Sequence, residues 1–82
     1  MAGDNLKLII LSPEKLLFSG KVARVSLPGG KAPFVVLCNH APLISTLQNG
    51  FIRWSGSQDG ELAISGGFVE VKNNEVTACV EV

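Results

Sequence analysis

The stretch "FVEVKNNEVTACVEV", residues 68–82, decides the fold class. Apolar and mixed side chains alternate through its second half, and the apolar positions are Val76, Ala78, Val80 and Val82. In an extended chain these four side chains share one face. In the first half, Val69 and Val71 share a face in the same way. Between the two runs, the pair Asn73-Asn74 suits a two-residue turn that needs positive φ at both positions. These residues therefore predict a C-terminal β-hairpin.

The rest of the chain has the same short-strand character. Residues 21–27, "KVARVSL", place Ala23, Val25 and Leu27 on one face, which predicts another strand. Gly and Pro interrupt the sequence so often that no amphipathic helix of ordinary length fits. Turn signals recur at Ser19-Gly20, Pro28-Gly29-Gly30, Asn49-Gly50, Asp59-Gly60 and Gly66-Gly67. Spacings of roughly 8–12 residues are typical of a sandwich or small barrel. We therefore predict one all-β domain over residues 1–82, a two-sheet β-sandwich or flattened barrel of short antiparallel strands.

The composition indicates more apolar surface than a domain of this size can bury. Hydrophobic residues make up 46% of the 82 residues and glycine adds nine more, whereas the two together reach about 45–50% in a typical soluble domain. A chain of this length buries only roughly 60–65% of its unfolded surface. The run Phe34 to Cys38 is apolar on both faces, and Phe51 and Trp54 lie on opposite faces of one predicted strand. We expect a partner to cover part of this surface.

Charge and hydropathy exclude two classes of partner. The seven basic and seven acidic residues balance, and the basic ones are scattered, whereas nucleic acid binding needs a clustered positive surface. No apolar run approaches the roughly 18–20 residues of a spanning helix, so we expect no direct membrane insertion, and the N-terminus has no secretory signal pattern. Cys38 and Cys79 are predicted to be free thiols in a reducing compartment.

The stretch "LCNHAPLI", residues 37–44, contains the only histidine, yet it offers little material for catalysis. A triad needs a nucleophile, a base and an orienting acid, and the chain has no Gly-x-Ser-x-Gly elbow. A zinc site at Cys38 and His40 lacks two further ligands. His40 is either a side chain whose ring is satisfied by turn backbone before Pro42, or part of an interface. An enzyme with His40 as base and Cys38 as nucleophile is the weakest hypothesis, and we predict no catalytic residue, metal or cofactor.

Three stretches, in this order, carry a family resemblance. They are "SPEKLLFSGKVARVSLPGG" (residues 12–30), "FVVLCNHAPLISTLQNGFIR" (residues 34–53) and "ISGGFVEVKNNEVTACVE" (residues 64–81). Together they closely resemble the N-terminal β-sandwich domain of the epsilon subunit of F-type ATP synthase, whose mitochondrial counterpart is called delta. The most specific motifs are Phe18-Ser19-Gly20, Asn39 to Leu43 followed by Gly50, and Gly66-Gly67-Phe68.

This resemblance implies a non-catalytic rotor subunit in the central stalk. Such a subunit links the gamma subunit to the membrane ring of c subunits, on the cytoplasmic face of the bacterial plasma membrane, and couples ion translocation to ATP synthesis. By the same resemblance, the residues facing the ring would be Gly30, Lys31, Ala32 and Pro33. The residues toward gamma would be Ser12, His40, Ala41, Pro42, Leu43 and Ser45. The alternative function is that of a free-standing β-sandwich module that binds a peptide or small ligand.

The sequence departs from the family pattern in three places. Val35 stands where the family usually has Gly, and Cys38 stands where it usually has Pro. The sequence stops at Val82, where longer members continue into a pair of C-terminal helices. A naturally short form and a truncated chain both remain open. For a short form, we expect a role confined to holding gamma on the ring, without ATP binding.

Overall fold

Nine short strands make up the chain in a computed structural model, which describes residues 4–82. No helix occurs among these residues. The strands are β1 Leu6–Leu11, β2 Leu16–Val22, β3 Arg24–Leu27, β4 Phe34–Val36, β5 Leu43–Leu47, β6 Gly50–Ser55, β7 Gly60–Ile64, β8 Gly66–Lys72 and β9 Glu75–Glu81.

The strands form two sheets, which confirms the predicted all-β sandwich. The five-stranded sheet has the order β2-β1-β9-β8-β5, and the four-stranded sheet has the order β4-β3-β6-β7. All neighbouring strands are antiparallel except β1 and β9, which run parallel. A parallel pair cannot be joined by a tight turn. Here the other seven strands lie between β1 and β9 along the chain.

The predicted C-terminal hairpin is confirmed in detail. Lys72 pairs with Glu75, so Asn73 and Asn74 form a two-residue turn between β8 and β9. Their φ angles are 53° and 60°, as this kind of turn requires. Val69 and Val71 are buried, together with Val76, Ala78 and Val80 on the facing strand. The apolar faces of both strands therefore point into the sandwich.

The predicted continuous strand over residues 21–27 is wrong, because the chain changes sheets at Ala23. β2 ends at Val22 in the five-stranded sheet, and β3 begins at Arg24 in the four-stranded sheet. At the change, the Ala23 amide donates to the Ser55 carbonyl at 2.8 Å. Val22 and Val25 are consequently both buried, although a straight strand would place them on opposite faces.

The turn predicted at Ser19-Gly20 is also wrong, since both residues lie inside β2. Gly20 pairs with Leu8 and Ser19 with Ile9 in a regular antiparallel ladder. The reversal before β2 lies between Ser12 and Lys15 instead, where the Ser12 amide donates to the Lys15 carbonyl at 2.9 Å.

A single hydrophobic core lies between the two sheets. Its members include Leu8 of β1, Val25 of β3 and Ile52 of β6, all fully buried. At one side of the core, the rings of Phe18 and Trp54 lie 4.5 Å apart between centroids and join the two sheets. Trp54 thus faces inward, while Phe51 of the same strand is 44% exposed on the outer face.

Candidate interaction surface

The outer face of the five-stranded sheet carries a line of apolar side chains across four strands. Leu11 pairs with Leu16 on one side and with Cys79 on the other, and Cys79 pairs with Phe68. We call these four residues the apolar row. Leu16 and Phe68 are each 54% exposed, although aromatic and leucine side chains are usually buried. The apolar row therefore has the character of an interaction surface.

A groove of about 320 Å³ runs beside the apolar row. Its walls are formed by Leu11, Ser12, Pro13, Gly67, Phe68, Cys79, Val80 and Glu81. The Ser12 hydroxyl oxygen accepts from the backbone amides of Glu14 and Lys15 at 3.3 and 3.2 Å, so the turn before β2 already uses its hydrogen-bonding capacity. The groove is therefore suited to an apolar side chain of a partner.

The outer face of the four-stranded sheet is more polar. Ser26 pairs with Arg53, and Arg53 pairs with Glu61. The Arg53 Nε lies 2.9 Å from the Glu61 carboxylate, and its guanidinium carbon lies 4.9 Å from the centroid of the Phe51 ring. Phe51 is thus partly covered by a charged neighbour.

The predicted gamma-facing residues are distributed along the edge and both ends of the five-stranded sheet. Ser12 follows Leu11, which pairs with Cys79, whereas Leu43 is aligned through Val71 with Val76. The structure therefore places Ser12 and the His40 stretch at opposite ends of this sheet. The outer face lies between them, and Phe68 is on the fourth of its five strands, level with Leu11 toward the Ser12 end.

His40 is half-buried and belongs to a turn. Its backbone amide donates to the Leu37 carbonyl at 3.2 Å, and its Nδ1 lies 2.7 Å from the Ala41 carbonyl oxygen. A carbonyl oxygen can only accept, so Nδ1 is the protonated nitrogen and Nε2 is left as an acceptor in the neutral ring. This geometry agrees with a ring satisfied by turn backbone. Ala41 and Pro42, which follow, are exposed.

Strand β5 shows which of its residues a partner could reach. Leu43 and Ser45 are half-buried and face the same way as the buried Leu47. Ile44 points outward and is 76% exposed, although it is not one of the residues named above as gamma-facing. Inward and outward side chains alternate along a strand, so counting back from an inward Leu47 would have identified Ile44 as an outward-facing residue.

The predicted ring-facing loop lies directly beside β5. Gly30, Lys31, Ala32 and Pro33 are all exposed, and the Gly30 amide donates to the Thr46 carbonyl at 2.9 Å. A groove of about 490 Å³ is lined by residues 31–34 on one side and residues 43–46 on the other. The structure thus brings the predicted ring-facing loop next to part of the predicted gamma-facing set.

The described part of the chain contains no metal-binding group and no disulfide. From residue 4 onward, no group of three or more His, Cys, Asp or Glu side chains could hold a metal ion. Cys38 and Cys79 are both free thiols. Over the same residues, no helix is long and apolar enough to cross a membrane.

The fold and surface agree with the result of a family comparison. The family model for the beta-sandwich domain of the ATP synthase delta/epsilon chain matches residues 5–82. The chain belongs to this family. The ATP synthase epsilon chain of Leptospira interrogans is 40% identical over 78 residues, which are 94% of this chain and 61% of that protein. The chain therefore spans about six tenths of the length of this relative.

Family members differ in length. The epsilon chain of Chlorobium limicola is 42% identical over 77 residues, which are 92% of this chain and 88% of that protein. Among solved structures, a chain of the Tetrahymena thermophila mitochondrial ATP synthase central stalk and c-ring superposes with a TM-score of 0.81, covering 100% of this chain and 67% of that one. At 16% identity, this likeness shows a shared fold.

Proposed function

We propose that this chain acts as a non-catalytic central-stalk subunit of an F-type ATP synthase. In this role it links the gamma subunit to the membrane ring of c subunits and so couples ion translocation to ATP synthesis. The observation that carries the proposal is the family match over residues 5–82. It is supported by the apolar row on the surface of this small domain, where Leu16 and Phe68 are each 54% exposed.

The outer face of the five-stranded sheet is the proposed gamma surface. Ser12 borders this face at one end, Pro42 borders it at the other, and Ile44 lies on its edge strand. Phe68 lies on this face toward the Ser12 end, with 54% of its surface exposed. Aromatic side chains are enriched at the cores of protein–protein interfaces. We therefore add Phe68, Leu11 and Ile44 to the proposed gamma-facing set.

Residues 30–33 are the proposed contact with the membrane ring, at the cytoplasmic face of the bacterial membrane. The loop is exposed and contains one cation, Lys31. Its backbone is tied to β5 through the Gly30 amide and the pairing of Gly29 with Leu47. A loop held in this way is preorganised for contact, which lowers the entropic cost of binding.

A free-standing binding module is the second candidate, and the groove beside Phe68 is the observation that favours it. A groove of about 320 Å³ falls at the lower limit of small-ligand sites. In this case the same surface would hold a small apolar ligand or peptide, and no ATP synthase subunit would bind the chain.

The test is capture of partners from the membrane fraction of the organism that encodes the chain. The wild-type chain should recover gamma and other ATP synthase subunits. Phe68→Glu should lose them, because a carboxylate would be placed in an apolar interface. The matched control is Phe51→Glu, on the outer face of the other sheet, which should retain them. Equal recovery by both variants would exclude the proposed face, and no recovery by the wild type would exclude the function.

A further inference from the structure

Two asparagines that are 35 residues apart in sequence are joined by a pair of hydrogen bonds. The backbone amide of Asn39 donates to Oδ1 of Asn74 at 2.6 Å. The side-chain amide of Asn74 donates back to Oδ1 of Asn39 at 3.3 Å. We call this pair the asparagine clamp. It connects the loop before Pro42 to the turn of the C-terminal hairpin.

The turn alone does not require asparagine at position 74. Asn74 is the second central residue of the turn and has a φ of 60°. Glycine adopts such angles without steric cost and is the residue most favoured at this position after an asparagine. A glycine would complete the turn, yet it could not reach Asn39. The side chain of Asn74 therefore contributes a contact beyond the turn.

The clamp is the main polar attachment of the loop over residues 37–42. Other hydrogen bonds of this loop in the described chain stay within it, from the His40 amide to Leu37 and from the His40 ring to Ala41. Asn74 is itself anchored, since its carbonyl accepts from the Lys7 amide at 2.9 Å. Through the clamp, the loop is held by the turn between β8 and β9 and by the start of β1.

We propose that Asn74 is a positioning residue that holds the Asn39 to Pro42 loop in the conformation that binds a partner. This inference rests on the proposed function, which assigns His40, Ala41 and Pro42 to the gamma subunit. A loop that is ordered before binding loses less conformational entropy when the complex forms. Asn74 itself need not touch gamma, because it acts through Asn39.

The test compares two glycine substitutions in the same turn. Asn74→Gly removes the clamp and keeps a turn of the favoured Asn-Gly kind, so the domain should remain folded. Asn73→Gly is the matched control, since Asn73 also has positive φ and its side chain makes no hydrogen bond in the described residues. Amide hydrogen exchange of Asn39 should accelerate in Asn74→Gly alone. Affinity for purified gamma should fall about three- to tenfold in the same variant, as for the loss of one or two hydrogen bonds.

A third variant separates positioning from turn stability. Asn74→Asp keeps an oxygen that accepts from the Asn39 amide, and the Asn39 side chain can turn its NH₂ group toward the new carboxylate. Affinity should return to within about twofold of wild type, since a charged acceptor strengthens the remaining bond.

Several results would overturn the inference. Unchanged exchange at Asn39 in Asn74→Gly would show that the clamp does not order the loop. Faster exchange with unchanged affinity would show that the loop conformation does not matter for binding. If the wild-type chain itself fails to bind gamma, the proposed function fails and the binding part of the inference fails with it, while the exchange measurement still decides whether Asn74 orders the loop.

Discussion

At the scale of single residues, two adjacent glycines at the start of β8 have different reasons for being present. Gly67 has a φ of 147°, and a Cβ at this position would collide with the carbonyl oxygen of Cys79 and lie 2.9 Å from the Cα of Val80. At Gly66 the nearest atom to an added Cβ would be the Leu47 carbonyl oxygen at 3.6 Å. Gly67→Ala should therefore lower the free energy of unfolding by about 2 kcal/mol or more, and Gly66→Ala should change it by less than about 1 kcal/mol. Urea denaturation of both variants measures the difference, and equal losses would contradict the prediction.

His40 is the second residue for which the structure makes a prediction. Among residues 4–82 its ring bonds only to the neighbouring Ala41 carbonyl, so His40→Ala should leave the domain folded with a melting temperature within a few degrees of wild type, about 1 kcal/mol or less. Binding to gamma should weaken, because the motif from Asn39 to Pro42 belongs to the proposed interface. Thermal melting and a binding titration are compared on the same preparations. A sharp drop in melting temperature with unchanged binding per folded molecule would make His40 a folding residue.

At the scale of elements, two consecutive residues of β6 point to opposite faces of their sheet, one toward the core and one toward solvent. Ile52 is fully buried, whereas Phe51 is 44% exposed. Ile52→Ala should lower the free energy of unfolding by about 2–4 kcal/mol, through lost burial and the cavity that remains. Phe51→Ala removes more atoms yet should cost less than about 1 kcal/mol, since much of its surface already meets water. Denaturation midpoints test the order of the two effects, and a larger loss for Phe51→Ala would mean that its strand faces are assigned wrongly.

At the scale of the whole molecule, the apolar row predicts how the isolated domain behaves. With Phe68 and Leu16 each 54% exposed and no net charge, the chain should self-associate at high concentration unless gamma covers this face. Sedimentation across a concentration series should show the wild type forming larger species. Phe68→Ser should shift association to higher concentration, and Phe51→Ser should not. A wild-type chain that stays monomeric at millimolar concentration would count against the prediction.

The C-terminal hairpin could be predicted from sequence because its determinants are local. Alternation of period two sets which side chains of β8 and β9 face inward, and the φ preferences of two adjacent asparagines set the turn. The same reasoning identified the all-β class and placed Phe51 and Trp54 on opposite faces of one strand, while the tertiary structure decided that Trp54 faces inward and Phe51 outward. Alternation fails at Ala23, where the backbone leaves one sheet for the other, because the bend depends on the Ser55 carbonyl that receives the Ala23 amide.

The sequence by itself determined the strands with clear alternation, the position of the hairpin and a surplus of apolar residues, since each follows from neighbours along the chain. Only the tertiary structure decided where that surplus lies. The parallel pairing of β1 with β9 brings Leu11 beside Cys79, and β8 then adds Phe68 to the same line. The asparagine clamp likewise exists only because folding brings Asn39 to a turn 35 residues away. Which strands become neighbours is set by packing between the sheets, and no local pattern in the sequence records that choice.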